Sequence, residues 1–554
     1  MIKTSLFMAH MIYNTAVMSK KSVADGGFWP PIAWDCKSQA DTESALKRTE
    51  APAIYGRNAL QRVFRLRNWP NIVLAITAVA FIIAYLFVAL SRVAYPFDLD
   101  FIENAMLLQA WRTGAGLPVY RPPNGDFAPQ VYMPLYTWLG SLLLRLTGPV
   151  MWPLRLLSLL STLGTAVLLY LIGRRIQPDR AIALSGAALF LAGYKLTGGW
   201  YDLARVDALF VFWVMAGMGT AVYRHHTNRG LALAGLLLGL ALLTKQNGLF
   251  LTAVVGVWLF WRARWRVWLF GAVFLLVTAV PLLLLEWVSG GWFSYYVVDI
   301  AYASPVEISR IWPVVRREVL GRMGFLVLMA GGTAVAHITQ RQWRKLIDPP
   351  WLLFMGAALF VSVSGRSSVG GNLNNLIIGY ALLCLAPALL AGALRPGKWR
   401  TALLAAAILG QFALLTFPPL PYAPQQFRPT AVMRQQGEQL TKYLAEVDGK
   451  VWVMLHPAYS LRAGKEAGVH IQTLWHARQR GAQSLPPDLV ARIQNQEYAV
   501  IISDESPYFE TEPALVNLLA QYYRAEPLPP EMSPPTLSGI QVRPLLIYTP
   551  RPAE

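Results

Sequence analysis

Three acidic side chains lie close together in a short segment between two long apolar stretches. Asp98, Asp100 and Glu103 fall within six positions, and ionisable groups next to a bilayer are costly unless they are solvated, paired or used in function. Asp100 and Glu103 are three residues apart, so a helix would turn both carboxylates toward one cavity, where one of them could act as a general base. The same spacing is that of a capping box, which only begins a helix. Spacing alone leaves both alternatives open.

A second group of charges lies at the start of a later apolar run. Arg205 and Asp207 stand where residues 206–223 begin, and charges at that depth tend to mark a pathway or a site. Asp207 is also electrostatically favourable at a helix N-terminus for structural reasons alone. Lys245 stands in a Lys-Gln-Asn-Gly break between two short apolar runs, where its amine either extends to the membrane surface or binds a phosphate.

Basic residues between the apolar runs agree with one orientation of the chain, with a single exception. Positive charge concentrates in cytoplasmic loops, and most Arg and Lys clusters fall on one side under this rule. One loop on the opposite side carries four arginines, which indicates an anionic partner such as a lipid phosphate. They are Arg310, Arg316, Arg317 and Arg322.

The composition is that of a membrane protein. The 554 residues are 55% hydrophobic and only 14% charged, whereas soluble globular proteins carry about 25% charged residues. A soluble enzyme and a disordered protein are therefore disfavoured. The net charge of +19 raises the question of nucleic acid, but the basic residues fall in short clusters that fit contact with anionic lipid head groups. We expect a lipid bilayer as partner and no nucleic acid.

The apolar runs predict a polytopic α-helical membrane protein with about eleven transmembrane helices. Residues 130–148 are predicted as an interfacial helix, because counting them as a span would move several basic clusters outside. The N-terminus is expected in the cytoplasm and the chain in a bacterial plasma membrane. Spans are predicted near residues 71–93, 152–173, 181–197, 206–223, 267–286, 321–338, 351–366, 374–393 and 400–417, with two short ones within 230–261.

Three domains follow from the same patterns. Residues 1–68 are predicted as a disordered cytoplasmic extension, 69–418 as the transmembrane catalytic domain and 419–554 as a small extracytoplasmic α/β domain. In the last of these, strand and helix patterns alternate. No Gly-rich phosphate loop follows its first strand, so we expect it to be a scaffold or to handle an acceptor. Strands are predicted at 451–455, 498–503 and 545–549, and helices near 486–496 and 513–524.

The sequence lacks several motifs that would define other chemistry. The histidines form neither HxxxH nor HExxH, and no Walker A, GxSxG or dinucleotide-binding motif occurs in the context that it requires. ATP-driven transport is therefore disfavoured. The sequence identifies no cofactor with certainty; a divalent metal is compatible with the sequence but is not indicated by it.

The order of these features resembles the GT-C membrane glycosyltransferases, in particular the family 39 protein mannosyltransferases and the lipid A aminoarabinose transferase. The resemblance rests on the acidic first loop, the Pro-Leu-Tyr-x-Trp-Leu helix that begins at Pro134, and the later Arg-Leu-Leu-Ser and Tyr-Leu-Ile-Gly-Arg-Arg segments. It continues through Leu-Ala-Arg205-Val-Asp207, Leu-Leu-Thr-Lys245-Gln and Gly-Gly-Asn-Leu-Asn374-Asn-Leu. The resemblance covers roughly residues 71–395, and the C-terminal domain is similar in kind.

The resemblance implies an inverting transferase that moves a hexose or pentose from a polyprenyl phosphate to a glycan, lipid or protein acceptor on the extracytoplasmic face. The first-loop acid of the family would be Glu103, with Asp100 beside it, so one of these two is expected as the base. Asp207 would orient the acceptor or the base. Phosphate ligands are expected at Lys245, Arg316, Arg317 and Arg322, and further substrate contacts at Asp98, Tyr132, Tyr136, Arg205 and Asn374.

Three other functions stay open. A flippase or exporter of lipid-linked glycans would also need a lipid groove and external charge, but it should carry paired charges deep in several spans, and few occur. A catalytically inactive relative would keep the fold and use its C-terminal domain as a scaffold. A polymerase or ligase with a pyrophosphate-linked donor would show similar charges.

Overall fold

The computed structural model describes residues 69–395, 397–417, 422–504 and 512–552. The extension predicted for residues 1–68 lies outside these described residues. The described chain begins with a helical bundle, which is followed by a small mixed sheet with helices around it. The α-helices are α1 Trp69–Val93, α2 Phe101–Gly114, α3 Leu135–Thr147, α4 Trp152–Ile176, α5 Arg180–Ala192, α6 Val206–Arg224, α7 Asn228–Thr244, α8 Gly248–Ala263, α9 Val267–Ser289, α10 Trp292–Ser294, α11 Ile300–Tyr302, α12 Ile308–Val314, α13 Gly324–Thr339, α14 Trp351–Ser367, α15 Ile377–Leu383, α16 Ala386–Ala393, α17 Lys398–Thr416, α18 Ala431–Glu446, α19 Ala458–Arg462, α20 Ile471–Ala477, α21 Pro487–Gln494 and α22 Pro513–Tyr522.

The helical bundle confirms the predicted α-helical membrane fold. Within the described part, seven stretches are long and apolar enough to cross a membrane, and an eighth results if the bent pair Ile308–Leu320 and Gly324–Thr339 is one span. One of the seven, Gly248–Ser289, contains both α8 and α9. Two further apolar helices, α5 and α7, are shorter. The count of about eleven spans depends on how these pieces are divided and stays a prediction. The predicted interfacial segment forms α3, which has only 13 residues.

The late span predicted at 374–393 is among the seven apolar stretches, as Leu373–Ala393, and it consists of two helices. Helix α15 ends at Leu383, and α16 begins at Ala386 with Pro387 in its first turn. Proline has no backbone N–H and its ring clashes with the preceding turn, so a continuous helix through this position would lose a hydrogen bond. The break instead follows the preference of proline for the first turn of a helix.

Helix α5 is shorter than predicted and is followed by a buried segment, residues 194–205. The helix ends at Ala192 because the chain turns at Gly193, where a Cβ atom would lie 2.0 Å from the Tyr380 ring. Two glycines with positive φ, Gly198 at 94° and Gly199 at 74°, continue the turn. Thirteen helical residues span only about 20 Å, which is too short to cross a bilayer core of about 30 Å. After α5 the chain therefore returns into the protein before α6 begins.

The C-terminal part contains a four-stranded mixed sheet in the order β1-β2-β4-β3. Strands β1 and β2 are parallel, and β4 is antiparallel to both β2 and β3. The three predicted strands and both predicted helices are present, and β3 is an edge strand that the sequence did not predict. The strands are β1 Lys450–Val453, β2 Tyr498–Asp504, β3 Tyr523–Pro527 and β4 Pro544–Pro550.

The C-terminal part is hydrogen-bonded directly to the first loop, residues 94–134. The backbone N–H groups of Leu537 and Ser538 both donate to the carbonyl oxygen of Leu99, each at 3.0 Å. Arg92, at the end of α1, donates to the Ser538 hydroxyl at 2.8 Å. Adjacent to them, Gly539 has φ +66, and a Cβ atom there would lie 2.7 Å from Asp100 Oδ2. The first loop and the C-terminal part are therefore packed as one unit around Asp100.

Candidate active site

A cavity of about 500 Å³ lies between the first loop, the start of α6, residues 365–375 and helix α20. It brings together charges that are far apart in the sequence. Five of the residues predicted for the site line it: Asp100, Tyr132, Arg205, Lys245 and Asn374.

Asp100 is both a helix cap and a wall of the cavity. It is the N-cap of α2, and its Oδ1 accepts from the backbone N–H of Ile102 at 3.0 Å. Oδ1 also accepts from Arg205 Nη1 at 3.0 Å, while Oδ2 accepts from Trp200 Nε1 at 2.7 Å. A carboxylate offers about four lone-pair sites, so three donors leave one for a substrate. Burial raises the pKa of Asp100 above its ordinary value, against the opposing effect of Arg205.

Asp207 positions the cavity cations Arg205 and Lys245 through ion pairs. Its Oδ1 accepts from Lys245 Nζ at 2.7 Å and from Asn374 Nδ2 at 3.0 Å. Its Oδ2 accepts from Arg205 Nε at 3.2 Å. Asp207 does not itself line the cavity, and its N-terminal position in α6 agrees with the structural interpretation. Lys245 keeps two of its three N–H donors for another partner, because Asp207 takes one.

Glu103 is turned away from the cavity and is fully engaged. Its Oε1 accepts from Arg155 Nε and from the backbone N–H of Ala204, each at 2.8 Å. Its Oε2 accepts from Arg155 Nη2 at 2.7 Å and from the backbone N–H of Leu99 at 2.8 Å. Four donors occupy all four lone-pair sites of this completely buried carboxylate. Asp100 and Glu103 thus face different surroundings, although a single helical turn separates them.

Arg155, on α4, organises the backbone of the first loop. Besides Glu103, its guanidinium donates to the carbonyl oxygens of Arg92, Tyr95 and Phe97 at 2.9, 2.6 and 2.6 Å. These contacts fix the chain just before Asp100. The sequence signal for this residue was the Arg-Leu-Leu-Ser segment, which supported the resemblance but was given no role.

Asp98 points to the C-terminal part instead of the cavity. Its Oδ2 lies 2.7 Å from His456 Nδ1, and His456 Nε2 lies 2.7 Å from Asp504 Oδ2. All three side chains are buried. Burial alone would lower the pKa of His456, but the carboxylates of Asp504 and Asp98 outweigh it and raise the pKa well above its ordinary value. The three residues join the first loop to strand β2.

Four other residues predicted for the site do not line the cavity. Tyr136 is buried and donates to the Leu154 carbonyl at 2.9 Å, which is a packing role. Arg316 and Arg317 are exposed on a π-helical turn, Val315–Leu320. Arg322 pairs with Glu318 at 2.7 Å. The structure therefore separates these arginines from Lys245 and Arg205, and it gives them no contact with the cavity.

The sequence did not predict several other residues that line the cavity. Trp200 lies under the Arg205 guanidinium, 4.7 Å from the ring centroid. Helix α20 and the turn after it supply the wall from the C-terminal part. The Trp-His-x-Arg-x-Arg segment of this region could have indicated these residues from sequence, because aromatic and basic residues concentrate there. These additional residues are Trp200, Gln472, Trp475, His476 and Arg480.

No metal site is apparent in the parts of the chain that the structure describes. No group of three or more His, Cys, Asp or Glu side chains there is arranged to hold an ion. The imidazole of His476 lines the cavity, and burial lowers its pKa to about 4. It is therefore uncharged at neutral pH.

A solved structure matches nearly the whole described fold. ArnT from Cupriavidus metallidurans, solved bound to undecaprenyl phosphate, superimposes with a TM-score of 0.56 at 13% identity, over 85% of this chain and 97% of that chain. The described chain shares the fold of this ArnT structure. The predicted resemblance is confirmed at the level of this fold.

Sequence comparisons find relatives over a shorter stretch. Residues 129–289 match the family described as dolichyl-phosphate-mannose-protein mannosyltransferase, a segment that includes Arg205, Asp207 and Lys245. Undecaprenyl phosphate-alpha-4-amino-4-deoxy-L-arabinose arabinosyl transferases are 30% identical in Pseudomonas aeruginosa (strain UCBPP-PA14) over 27% of this chain, and in Pseudomonas paraeruginosa (strain DSM 24068 / PA7) over 25%. The chain spans only 28% and 27% of the length of these two relatives.

Proposed function

We propose that this protein is an integral-membrane glycosyltransferase that moves a sugar from a polyprenyl phosphate to an acceptor hydroxyl. The observation that carries the proposal is the cavity itself, in which a buried carboxylate with a free lone-pair site faces Arg205 and Lys245. The relatives named above act on, or are bound to, undecaprenyl phosphate, which supports a polyprenyl-phosphate donor. The acceptor is a glycan, a lipid or a protein.

Asp100 is the proposed base. Of the two acids expected from the sequence, it alone lines the cavity, and its three hydrogen-bond donors leave one lone-pair site that can accept a proton or a fourth hydrogen bond. Its raised pKa makes it a stronger base than an ordinary aspartate. Glu103 is proposed as a structural residue that fixes α2, and Asp207 as a positioning residue that holds Lys245 and Arg205.

The reaction is proposed as a single displacement. The acceptor hydroxyl gives its proton to Asp100, its oxygen forms a bond to the anomeric carbon, and the bond from that carbon to the phosphate oxygen breaks. The electron pair of that bond leaves with the polyprenyl phosphate, whose growing negative charge Lys245 and Arg205 stabilise. Preorganised cations stabilise a developing negative charge more strongly in a partly dehydrated site than in bulk water. One displacement inverts the anomeric centre.

We place the cavity on the extracytoplasmic side. Arg205 and Asp207 lie at the N-terminal end of α6, whose last turn carries Arg224. Lys245 precedes α8, whose last turn carries Arg262. The basic ends of both helices lie away from the cavity, and basic helix ends favour the cytoplasm. This orientation supports an inner-membrane enzyme that works on the outer face, with its C-terminal domain outside.

The test is turnover in nanodiscs with a panel of polyprenyl-phosphate sugars, measured as release of the carrier phosphate. Asp100→Asn should lower kcat by about 10²–10⁴, the usual contribution of a positioned base. Asp448→Asn is the matched control, because Asp448 is exposed in the C-terminal part. Loss of turnover in Glu103→Gln with full activity in Asp100→Asn would reject Asp100 as the base. Wild-type protein that binds donors without releasing carrier phosphate would reject the transferase.

A further inference from the structure

Arg480 is a cavity cation that is not compensated by a carboxylate. Arg205 pairs with Asp100 and Asp207, and Lys245 pairs with Asp207. Within the part of the chain that the structure describes, Arg480 forms no salt bridge: no carboxylate oxygen lies within 4.0 Å of its guanidinium. An arginine that lines a partly dehydrated cavity without a counter-ion is electrostatically unsatisfied.

The hydrogen bonds of Arg480 go to neutral groups on two other loops that line the cavity. Its Nη2 donates to the Ser304 hydroxyl and, at 3.3 Å, to the Val369 carbonyl oxygen. Its guanidinium lies 5.9 Å from the centroid of the Trp475 ring. A guanidinium has five N–H donors in a fork that matches phosphate, and these contacts use only one of its nitrogens. Burial lowers the pKa of Arg480, as expected of a cation without a carboxylate beside it.

The backbone around Arg480 is held in a conformation that directs this side chain. Gln479, Arg480 and Gly481 have φ of 48°, 63° and 82°, and two successive non-glycine residues in the left-handed region are unfavourable without compensation. The preceding residue, Arg478, fixes this turn from inside. It pairs with Glu512 at 2.7 Å and donates to the carbonyl oxygen of Gln483 at 2.6 Å.

We propose that Arg480 is an anion-binding residue of the cavity, which exchanges Ser304 and Val369 for the oxygens of a substrate phosphate. This inference rests on the proposed function, because it assumes that a phosphate enters the cavity. The phosphate belongs either to the polyprenyl carrier or to an acceptor that is itself phosphorylated. In both cases the C-terminal domain contributes a charged ligand to the substrate and is more than a scaffold.

The test measures binding of polyprenyl phosphate without sugar to the full-length protein in nanodiscs. Arg480→Gln should raise the Kd at least tenfold, and Arg480→Lys, which keeps the charge but loses the fork, should recover part of the affinity. Arg524→Gln is the control, since Arg524 is a largely exposed arginine of the same domain. Ser304→Ala removes a neutral group that competes for the guanidinium, so it should leave the Kd unchanged or lower it.

The variants separate a ligand role from a purely structural one. If Arg480 only ties two loops together, Ser304→Ala and Arg480→Gln should weaken binding alike and lower the unfolding temperature alike, which would overturn the proposal. If Arg480→Gln leaves carrier binding intact but raises KM for phosphorylated acceptors and not for neutral ones, the acceptor is the source of the phosphate. Carrier binding and both KM values unchanged in Arg480→Gln would overturn it.

The same experiment distinguishes this inference from the proposed function. Arg480-dependent binding of carrier phosphate, together with no turnover of any sugar donor by wild-type protein, would reject the transferase but keep the anion site. Turnover by wild-type protein, together with carrier binding and KM values for neutral and phosphorylated acceptors that are all unchanged in Arg480→Gln, would keep the transferase and reject the anion site. If wild-type protein binds no carrier phosphate and no phosphorylated acceptor, the anion site is also rejected.

Discussion

Replacing Glu103 by glutamine should destabilise the protein far more than it impairs the chemistry. The two Glu103 oxygens accept four hydrogen bonds, two of them from Arg155. A glutamine oxygen can accept at most two, so its NH₂ group would face donors that it cannot satisfy. The Arg155 charge would also lose its counter-ion in a site where both side chains are completely buried.

The magnitude follows from what is left behind. Removing one partner of a buried ion pair costs about 3–5 kcal/mol, because the other charge stays buried and unpaired. Arg155→Met should cost a similar amount, with a further loss of about 1 kcal/mol or more for each carbonyl that it leaves without a donor. The double variant should be less destabilised than the sum of the two single ones, with a coupling energy of about 1–3 kcal/mol.

The assay is equilibrium unfolding in mixed micelles for the four members of the cycle, together with kcat per folded molecule. We expect kcat of Glu103→Gln to fall by less than about tenfold, whereas loss of a base costs about 10²–10⁴. Wild-type unfolding energy combined with a loss of activity beyond about a hundredfold would refute the reasoning and make Glu103 the base.

Three further predictions concern pH and packing. Asp100 must be deprotonated to act as a base, so kcat should fall as the pH drops through its raised pKa. Because Arg205 lowers that pKa, Arg205→Gln should move this fall in kcat to higher pH. His456 has a raised pKa in the folded state. Its stabilising contribution is therefore complete below the pKa of the unfolded state, about 6.5, and is lost as the pH rises through the pKa of the folded state. In His456→Gln the free energy of unfolding should vary less with pH over that range. A Cβ atom at Gly539 would lie 2.4 Å from the Trp200 ring, while Gly464, with a similar positive φ of 73°, has nothing within 4 Å. The backbone conformation should cost both alanine variants about 1 kcal/mol of stability, and Gly539→Ala should lose more because of its contacts. Only Gly539→Ala should also lose turnover, and equal turnover in the two variants would contradict the packing of Gly539 on the site.

The helical membrane fold and much of the C-terminal sheet could be predicted because their signals are local. Apolar runs and alternating patterns depend only on neighbouring residues. Strand β3 was missed for the same reason: residues 523–527 are mostly exposed, so an edge strand there lacks the buried alternation that identifies a strand. The break between α15 and α16 was missed because one proline in an apolar run is tolerated in some membrane helices.

The candidate site could be predicted only in part because its geometry depends on long-range contacts. Asp100, Arg205 and Lys245 were each singled out from charge in apolar surroundings, but their position around one cavity was not predicted. That pattern could not tell Asp100 from Glu103, since the difference lies in Arg155, 52 residues after Glu103. The contribution of Arg480 likewise depends on its contact with Ser304, which is 176 residues away in the sequence. No local sequence pattern predicts such a contact.

The close packing of Gly539 on Asp100 has a consequence for how the protein is made. Chains are synthesised from the N-terminus, and their domains fold as units in that order. The first loop leaves the ribosome before the residues that cover Asp100 and complete the cavity, Gly539 and Ile540, which follow all the described membrane helices in sequence. The nascent protein therefore holds its acid uncovered throughout insertion of the helical bundle. The complete cavity forms only after residues 539 and 540 have been translated, so a chain cut short before them would lack part of the cavity even with every described membrane helix in place.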